Sequence, residues 1–329
     1  MHCFYIQNLQ NAWMTFDELD AFVAIATSGG FTNASRKLFR SQPAISRRIG
    51  QLERELGAAL FERVGRGVRL TDAGRALLPH AEAALAALAD ARRAVTEAGG
   101  SAQPKLVLRV ALVGTLADSH IVETLRRFKK KAGDASLELR TATSREVSAL
   151  VRRGEADLGI RYFPDPDRKL ESIALGSEPL RVVVPVSHRV RARRVADVSA
   201  FADETWLAFP PDPRHPESSG PQLEALLVGA GILRPKIAPV DSLTAQKRLV
   251  EAGLGIAWLP RSSFQDELRR GTLRTVEVAN LQRDQPVVVV RRRGARHGAA
   301  SDAFLELLQR HTPELVRERR VSRKRARPR

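Results

Sequence analysis

The stretch SQPAISRRIGQLEREL, residues 41–56, sets Ile45, Ile49, Leu52 and Leu56 at i, i+4, i+7 and i+11, which puts all four on one buried face of a helix. At 100° per residue the opposite face carries Pro43, Arg47, Gly50 and Arg54, with Gln42 and Ser46 at the N-terminal flank. These side chains suit base edges in a major groove. Gln42 can bond an adenine, Arg47 a guanine and Ser46 either, while Pro43 offers apolar contact to a thymine methyl. Arg48 and Arg54 fit ordinary salt bridges on a solvated face better. Just upstream, Thr32, Asn33 and Ser41 bring hydroxyl, amide and helix-end N–H groups that could meet phosphates, fixing register without reading sequence. Thr32 and Ser41 equally suit plain capping, and the two roles can coexist.

Such a helix needs a scaffold, and the flanking pattern supplies one. Asp17 to Ser28, with Leu19, Phe22, Val23, Ile25 and Ala26 at helical spacing and Gly29-Gly30 as a stop, predicts a first packing helix. Thr32 is placed to cap a second helix through Phe39, and Ser41 with Pro43 just inside opens the third. Two helical runs around the short polar break at residues 39–43 have the layout of a helix-turn-helix, with the motif at about 31–50. Residues 61–63, the turn Gly65-Arg66-Gly67 and residues 68–70 predict a β-hairpin wing. Thr71 is placed to cap a helix reaching about Ala98, ended by Gly99-Gly100, which at 1.5 Å per residue makes a rod of about 40 Å. Along it Leu77, Ala81, Ala84, Leu88, Ala91 and Val95 recur every four and three residues, a seam that predicts a coiled-coil dimer. The alternative is a stripe packed on its own domain.

Beyond the linker at residues 101–104 the pattern changes to alternating strands and helices. Residues 105–113, 121–131, 136–141, 144–153 and 157–161 read as βαβαβ. Strands are expected again at 180–186, 255–259 and 286–290, with helices at 223–231 and 244–252. Two α/β lobes fit this order better than one continuous sheet.

Composition narrows the class. Across 329 residues, 54 Lys+Arg against 37 Asp+Glu give a net charge of +17, which points to a polyanionic partner. Arg317 to Arg329 alone holds eight basic residues and one acid, leaving about ten of those charges for the body. That tail reads either as a disordered basic arm adding nonspecific affinity or as a solvated end. The single cysteine, Cys3, excludes an internal disulfide framework and fits a reducing compartment. No export signal and no long apolar run is present, so the expectation is a cytoplasmic protein. Residues 1–13 are expected to be a disordered extension.

With these residues in place, the chain resembles the LysR-type transcriptional regulators from Met14 to about Gln309. LDAFVAIATSGGFTNASRKL, SQPAISRRIGQLERELG, LFER and RLTDAG stand in the family's order and spacing, while LVRRGEADLGI and LVEAGLGIAWLP resemble its looser effector-domain signatures. Ser35, Phe39, Ala59 and Trp258 depart from the pattern. The resemblance implies a multidomain chain. It would comprise an all-α winged helix-turn-helix domain at 14–71, a linker and dimerisation helix at 72–98, and a two-lobed α/β effector domain at 105–310 resembling periplasmic binding proteins of type 2. Lobe 1 would take about 105–180 and 281–310, lobe 2 about 181–280, and residues 311–329 the basic tail. It also implies base contacts on the positions named above, Arg66 at the wing tip entering the minor groove, and a tetramer whose arrangement on DNA shifts with a small molecule held between the lobes. Four or so specific contacts per headpiece discriminate poorly against a genome, so paired half-sites on double-stranded DNA and a homodimer follow.

Candidate effector contacts lie at predicted strand ends and helix starts, where α/β sheets collect ligands. They are Thr115 and Leu116, Thr143 and Ser144, and Arg161 beside Tyr162, faced from the second lobe by Phe209, Pro210 and Trp258. Helix N-termini at Thr115 and Ser144 would suit an anionic organic effector. A capping or core role is the alternative for each. The seven histidines show no metal-ligand spacing, Gly253-Leu254-Gly255 is not a nucleotide fingerprint, and neither a GxSxG elbow nor a Walker loop is present. No cofactor and no catalysis are expected. A solute-binding protein would explain the lobes but not the helix-turn-helix, and a nucleoid protein the charge but not the lobes.

Overall fold

The computed structural model describes residues 14–65, 67–98, 107–117, 119–133, 135–210, 219–295 and 297–311. The expectations for residues 1–13, Arg66, the linker at 101–104 and the tail from 312 lie outside the described residues. The chain divides into two compact units, the first ending at Pro104 apart from the short segment Arg152–Glu155, the second holding the rest.

In the first unit α1 (Phe16–Ser28), α2 (Phe31–Lys37) and α3 (Gln42–Leu56) precede a two-stranded wing, β1 (Phe61–Val64) and β2 (Gly67–Leu70), and the long α4 (Asp72–Ala98). Thr15 and Glu18 close a reciprocal capping box at the start of α1, satisfying N–H groups that the helix itself cannot. The core joins Leu19, Phe22, Val23 and Ile25 of α1 to Ala34, Ile45, Ile49 and Leu52, and then to Leu60 and Ala81. Each large aliphatic buried there contributes roughly 1.5–3 kcal/mol relative to exposure. Leu56 departs from the predicted buried face. It is 43 % exposed, because Gly57 adopts a left-handed conformation at φ 65° and ends α3 one residue later. Gly74 lets α4 approach the wing, since a Cβ there would sit 2.2 Å from the Leu60 carbonyl oxygen.

The second unit is α/β. Parallel strands β3 (Val107–Val113), β4 (Ser136–Ala142) and β5 (Leu158–Tyr162) alternate with α5 (Ser119–Ala132) and α6 (Ser144–Arg152), the expected βαβαβ. The second lobe adds β7 (Arg194–Val195), β8 (Thr205–Ala208), α7 (Ser219–Gly229), β9 (Lys236–Pro239), α8 (Leu243–Glu251), β10 (Ile256–Pro260), α9 (Gln265–Arg270) and β11 (Leu273–Val278). Strand β12 (Asp284–Arg292) and α10 (Ala299–His311) then return to the first lobe, where Phe304 of α10 meets Phe128 of α5. The lobes are joined by β6 (Leu170–Pro185), whose first part pairs with β12 and whose last residues pair with β10 and β11. The strand expected at 180–186 is therefore only the end of a longer one.

Candidate functional site

Two networks fix the start of α3. Ser41 is its N-cap, its Oγ accepting from the Ala44 N–H at 3.4 Å, and Pro43 occupies the first turn where a missing N–H costs nothing. The Thr32 hydroxyl donates to Gln42 Oε1 at 3.1 Å. Thr32 does not cap α2 as expected: Gly30 is the N-cap and Thr32 lies inside the first turn, so its hydroxyl is free to reach α3. Asn33 donates through Nδ2 to the Ser28 carbonyl at 3.0 Å, spending one amide hydrogen on the end of α1. Helix α2 stops at Lys37, leaving Phe39 in the turn rather than in the helix.

Gln42, Pro43, Ser46 and Arg47 are all exposed on one side of α3, while Ile45 and Ile49 between them are buried. Arg48, at the flank, pairs with Asp17 at 2.8 Å, and Arg54 donates to the Gly50 carbonyl at 3.0 Å. The wing is held from α3 as well: Glu53 accepts from the N–H groups of Leu60 and Phe61 at 2.7 and 3.3 Å, and the Phe61 ring packs on Phe22 at 5.4 Å between centroids. The surface that results is a rigid helix end with amide, hydroxyl and guanidinium groups outward, able to donate and accept along a groove floor.

In the second unit the turn Gly114–Leu116, which follows β3, lies against the turn Arg261–Phe264 of the other lobe. On the first-lobe side of this junction the Thr115 hydroxyl donates to the Tyr162 hydroxyl at 3.1 Å, and Tyr162 donates to Glu178 Oε2 at 3.0 Å. The other oxygen of Glu178 accepts from the Ser262 N–H at 2.9 Å. Glu178 is 2 % exposed, so a buried carboxylate is shared by both lobes. Glu178 and Ser262 escaped sequence reading because an acid beside Pro179 and a serine in a turn carry no periodic signal.

The remaining candidates divide. Ser144 is half-buried and Thr143 exposed, and Thr143 forms a capping box in which Glu146 Oε2 accepts from its N–H and its hydroxyl, both at 2.9 Å. A carboxylate thus already occupies that helix start, and Thr115 sits in a single 3-10 turn rather than an α-helix. Neither place offers the unoccupied α-helix N-terminus on which an anion was expected. Arg161 is also consumed, bonding Ser148 at 2.7 Å and pairing with Asp165 while buried. Leu116 packs into the lobe 1 core, and Trp258 into the lobe 2 core with Phe201, Trp206 and Leu223. Phe209 is half-buried and Pro210 exposed after β8.

Residues 16–75 match the model of the bacterial regulatory helix-turn-helix proteins of the lysR family, and residues 101–313 match the LysR substrate binding domain. The chain belongs to the LysR family. It is 31 % identical to the HTH-type transcriptional regulator ShiR of Corynebacterium glutamicum (strain R), over 74 % of this chain and 92 % of that one. It is likewise 31 % identical to the HTH-type transcriptional regulator CbbR of Rhodospirillum rubrum, over 89 % of this chain and 95 % of that one. Among solved structures, full-length CbnR complexed with its target DNA is 25 % identical, with a TM-score of 0.56 over 90 % of this chain and 99 % of that one.

As a LysR-family transcriptional regulator the chain binds DNA through its helix-turn-helix domain, carries an effector-binding domain and forms oligomers. No helix among its described residues is long and apolar enough to cross a membrane. In this LysR-type chain the α4 seam divides in two. Leu77, Ala81 and Ala84 pack against the headpiece core, whereas Ala91 is exposed and Val95 is 72 % exposed. The inner half of the stripe therefore packs on its own domain, and the outer half is left exposed.

Proposed function

We propose that this LysR-type regulator reads paired half-sites through Gln42, Pro43, Ser46 and Arg47 of α3, with Thr32, Asn33 and Ser41 at phosphates and Arg66 in the minor groove. The observation that carries this reading is the exposure of those four α3 side chains beside fully buried Ile45 and Ile49. Dimerisation runs through the outer half of α4, where Leu88, Ala91 and Val95 continue the seam beyond the headpiece core. A duplex selected from a random pool by the full-length protein should contain two related half-sites; binding indifferent to scrambling either one would sink the reading.

A small organic effector is held between the lobes, at the junction of Thr115, Tyr162, Glu178 and Ser262, with Ser144 after β4 and Phe209 after β8 as further candidate contacts. The polar chain there favours an effector recognised by hydrogen bonds, and no further cofactor is required. The protein works in the cytoplasm as a binding protein rather than an enzyme. A thermal-shift screen of organic acids, amino acids and aromatics on the full chain tests this, because a ligand that binds only the native state raises Tm. A hit unaffected by Thr115→Val would move the site elsewhere.

A further inference from the structure

Phe39 and Phe163 are the non-glycine residues with left-handed backbones among those described, at φ 52° and 59°. That conformation is unfavourable for an aromatic residue and persists where something else compensates. For Phe163 the compensation is visible: it packs against the lobe 1 core and its N–H donates to the Pro286 carbonyl at 2.9 Å. Phe39 has no such burial. Its side chain is 94 % exposed, more than any other large apolar residue described.

The position of Phe39 says what covers it. It stands in the turn between α2 and α3, two residues before the cap Ser41 and on the same segment as the exposed end of α3. From Thr32 to Leu52 the sequence holds Arg36, Lys37, Arg40, Arg47 and Arg48 and not one Asp or Glu. Arg48 is paired with Asp17 and Lys37 lies 4.0 Å from Glu155, but the exposed ring stands directly between Arg36 and Arg40 in a stretch without an acid of its own, and it is matched to a polyanion that also offers apolar surface. A DNA strand does so, because each deoxyribose presents a C–H face between two phosphates.

We propose that Phe39 is a further DNA contact, its ring held outward by the left-handed turn and laid against deoxyribose at the edge of the groove that receives α3. This rests on the reading of α3 as the base-reading helix. Arg36 and Arg40 neutralise the phosphates on either side, and the ring adds affinity without choosing a base. The strain in the turn is then offset in the complex rather than in the free protein.

The test uses the full-length protein and a duplex it has itself selected from a random pool. Asparagine tolerates the left-handed region, so Phe39→Asn should leave Tm unchanged or higher while weakening binding about tenfold, with sequence preference intact. Phe39→Tyr keeps the ring and should bind within about twofold of the parent protein. Parent-like affinity in Phe39→Asn overturns the proposal. So does a Phe39→Asn protein that binds DNA normally yet loses regulation of transcription, since that outcome assigns the ring to a protein partner. Arg47→Ala, measured in parallel, reports on α3 itself: unchanged sequence preference there sinks the base-reading helix, whereas a loss confined to Arg47→Ala sinks only the role of Phe39.

Discussion

The Thr32 hydroxyl donates to Oε1 of Gln42 at 3.1 Å, linking the first turn of one helix to the first residue of the next. Gln42 is thereby aimed before any base arrives, with its amide hydrogens still available. Thr32→Val keeps the shape and deletes the donor. Binding should weaken by about three- to tenfold, and preference at the base pair read by Gln42 should relax, because a neutral hydrogen bond contributes about 1 kcal/mol. Unchanged preference in a binding-site selection would show that Gln42 needs no such support.

Arg47 and Arg48 are neighbours with different expected roles. Arg47→Ala should cost about 1–3 kcal/mol of binding and relax specificity at one position per half-site. Arg48→Ala breaks the pair with Asp17, which is largely exposed, so its effect should stay within about 1 kcal/mol of stability and leave preference alone. Titrations on matched and mismatched duplexes separate the two.

Glu178→Ala removes the acceptor used by both Tyr162 and the Ser262 N–H in a buried setting. Leaving two such donors without it should lower stability by about 2–4 kcal/mol, read as a fall in Tm of the full chain. Glu178→Gln, which retains one acceptor oxygen, should lose less. Equal Tm values for all three proteins would dismiss the bridge between the lobes.

Gly74→Ala places a methyl 2.2 Å from the Leu60 carbonyl oxygen and 2.9 Å from a Leu70 methyl. The start of α4 and the wing cannot both keep their places, so the headpiece should lose about 1–3 kcal/mol in thermal unfolding. DNA binding should fall with it, since the wing packs on the same headpiece core as α3. A protein as stable as the parent would mean that the wing has room to give.

Removing residues 312–329 deletes the eight basic residues of the tail. If the tail meets phosphates, the slope of log affinity against log salt should flatten while sequence preference persists. An identical slope assigns the tail to solubility alone.

Much of this architecture was legible because it repeats. Ile45, Ile49 and Leu52 announce α3 and its outward face, and the alternation from Val107 to Tyr162 announces the first lobe. What escaped lacked a period. The first half of β6, LESIALGSEP, mixes polar residues and a proline, so its strand character comes from pairing with β12 and not from its own pattern. Trp258 could be placed on a strand but not on a side of it, because β10 is buried on both faces and its alternation carries no contrast. Glu178 is decided wholly by contacts remote in sequence. Leu56 fits the helical stripe and fails only because the chain turns away at Gly57.

Strand β6 also sets an order of assembly. Its partner β12 begins at Asp284, about a hundred residues after β6 leaves the first lobe at Pro179, and everything between belongs to the second. As the chain emerges from the ribosome, β3, β4 and β5 must wait with an open edge until the second lobe has been made, since β12 is the strand that closes against β5. The later lobe can therefore finish folding first, and the earlier one, with its exposed edge, is the stage at which a nascent chain is most open to mispairing.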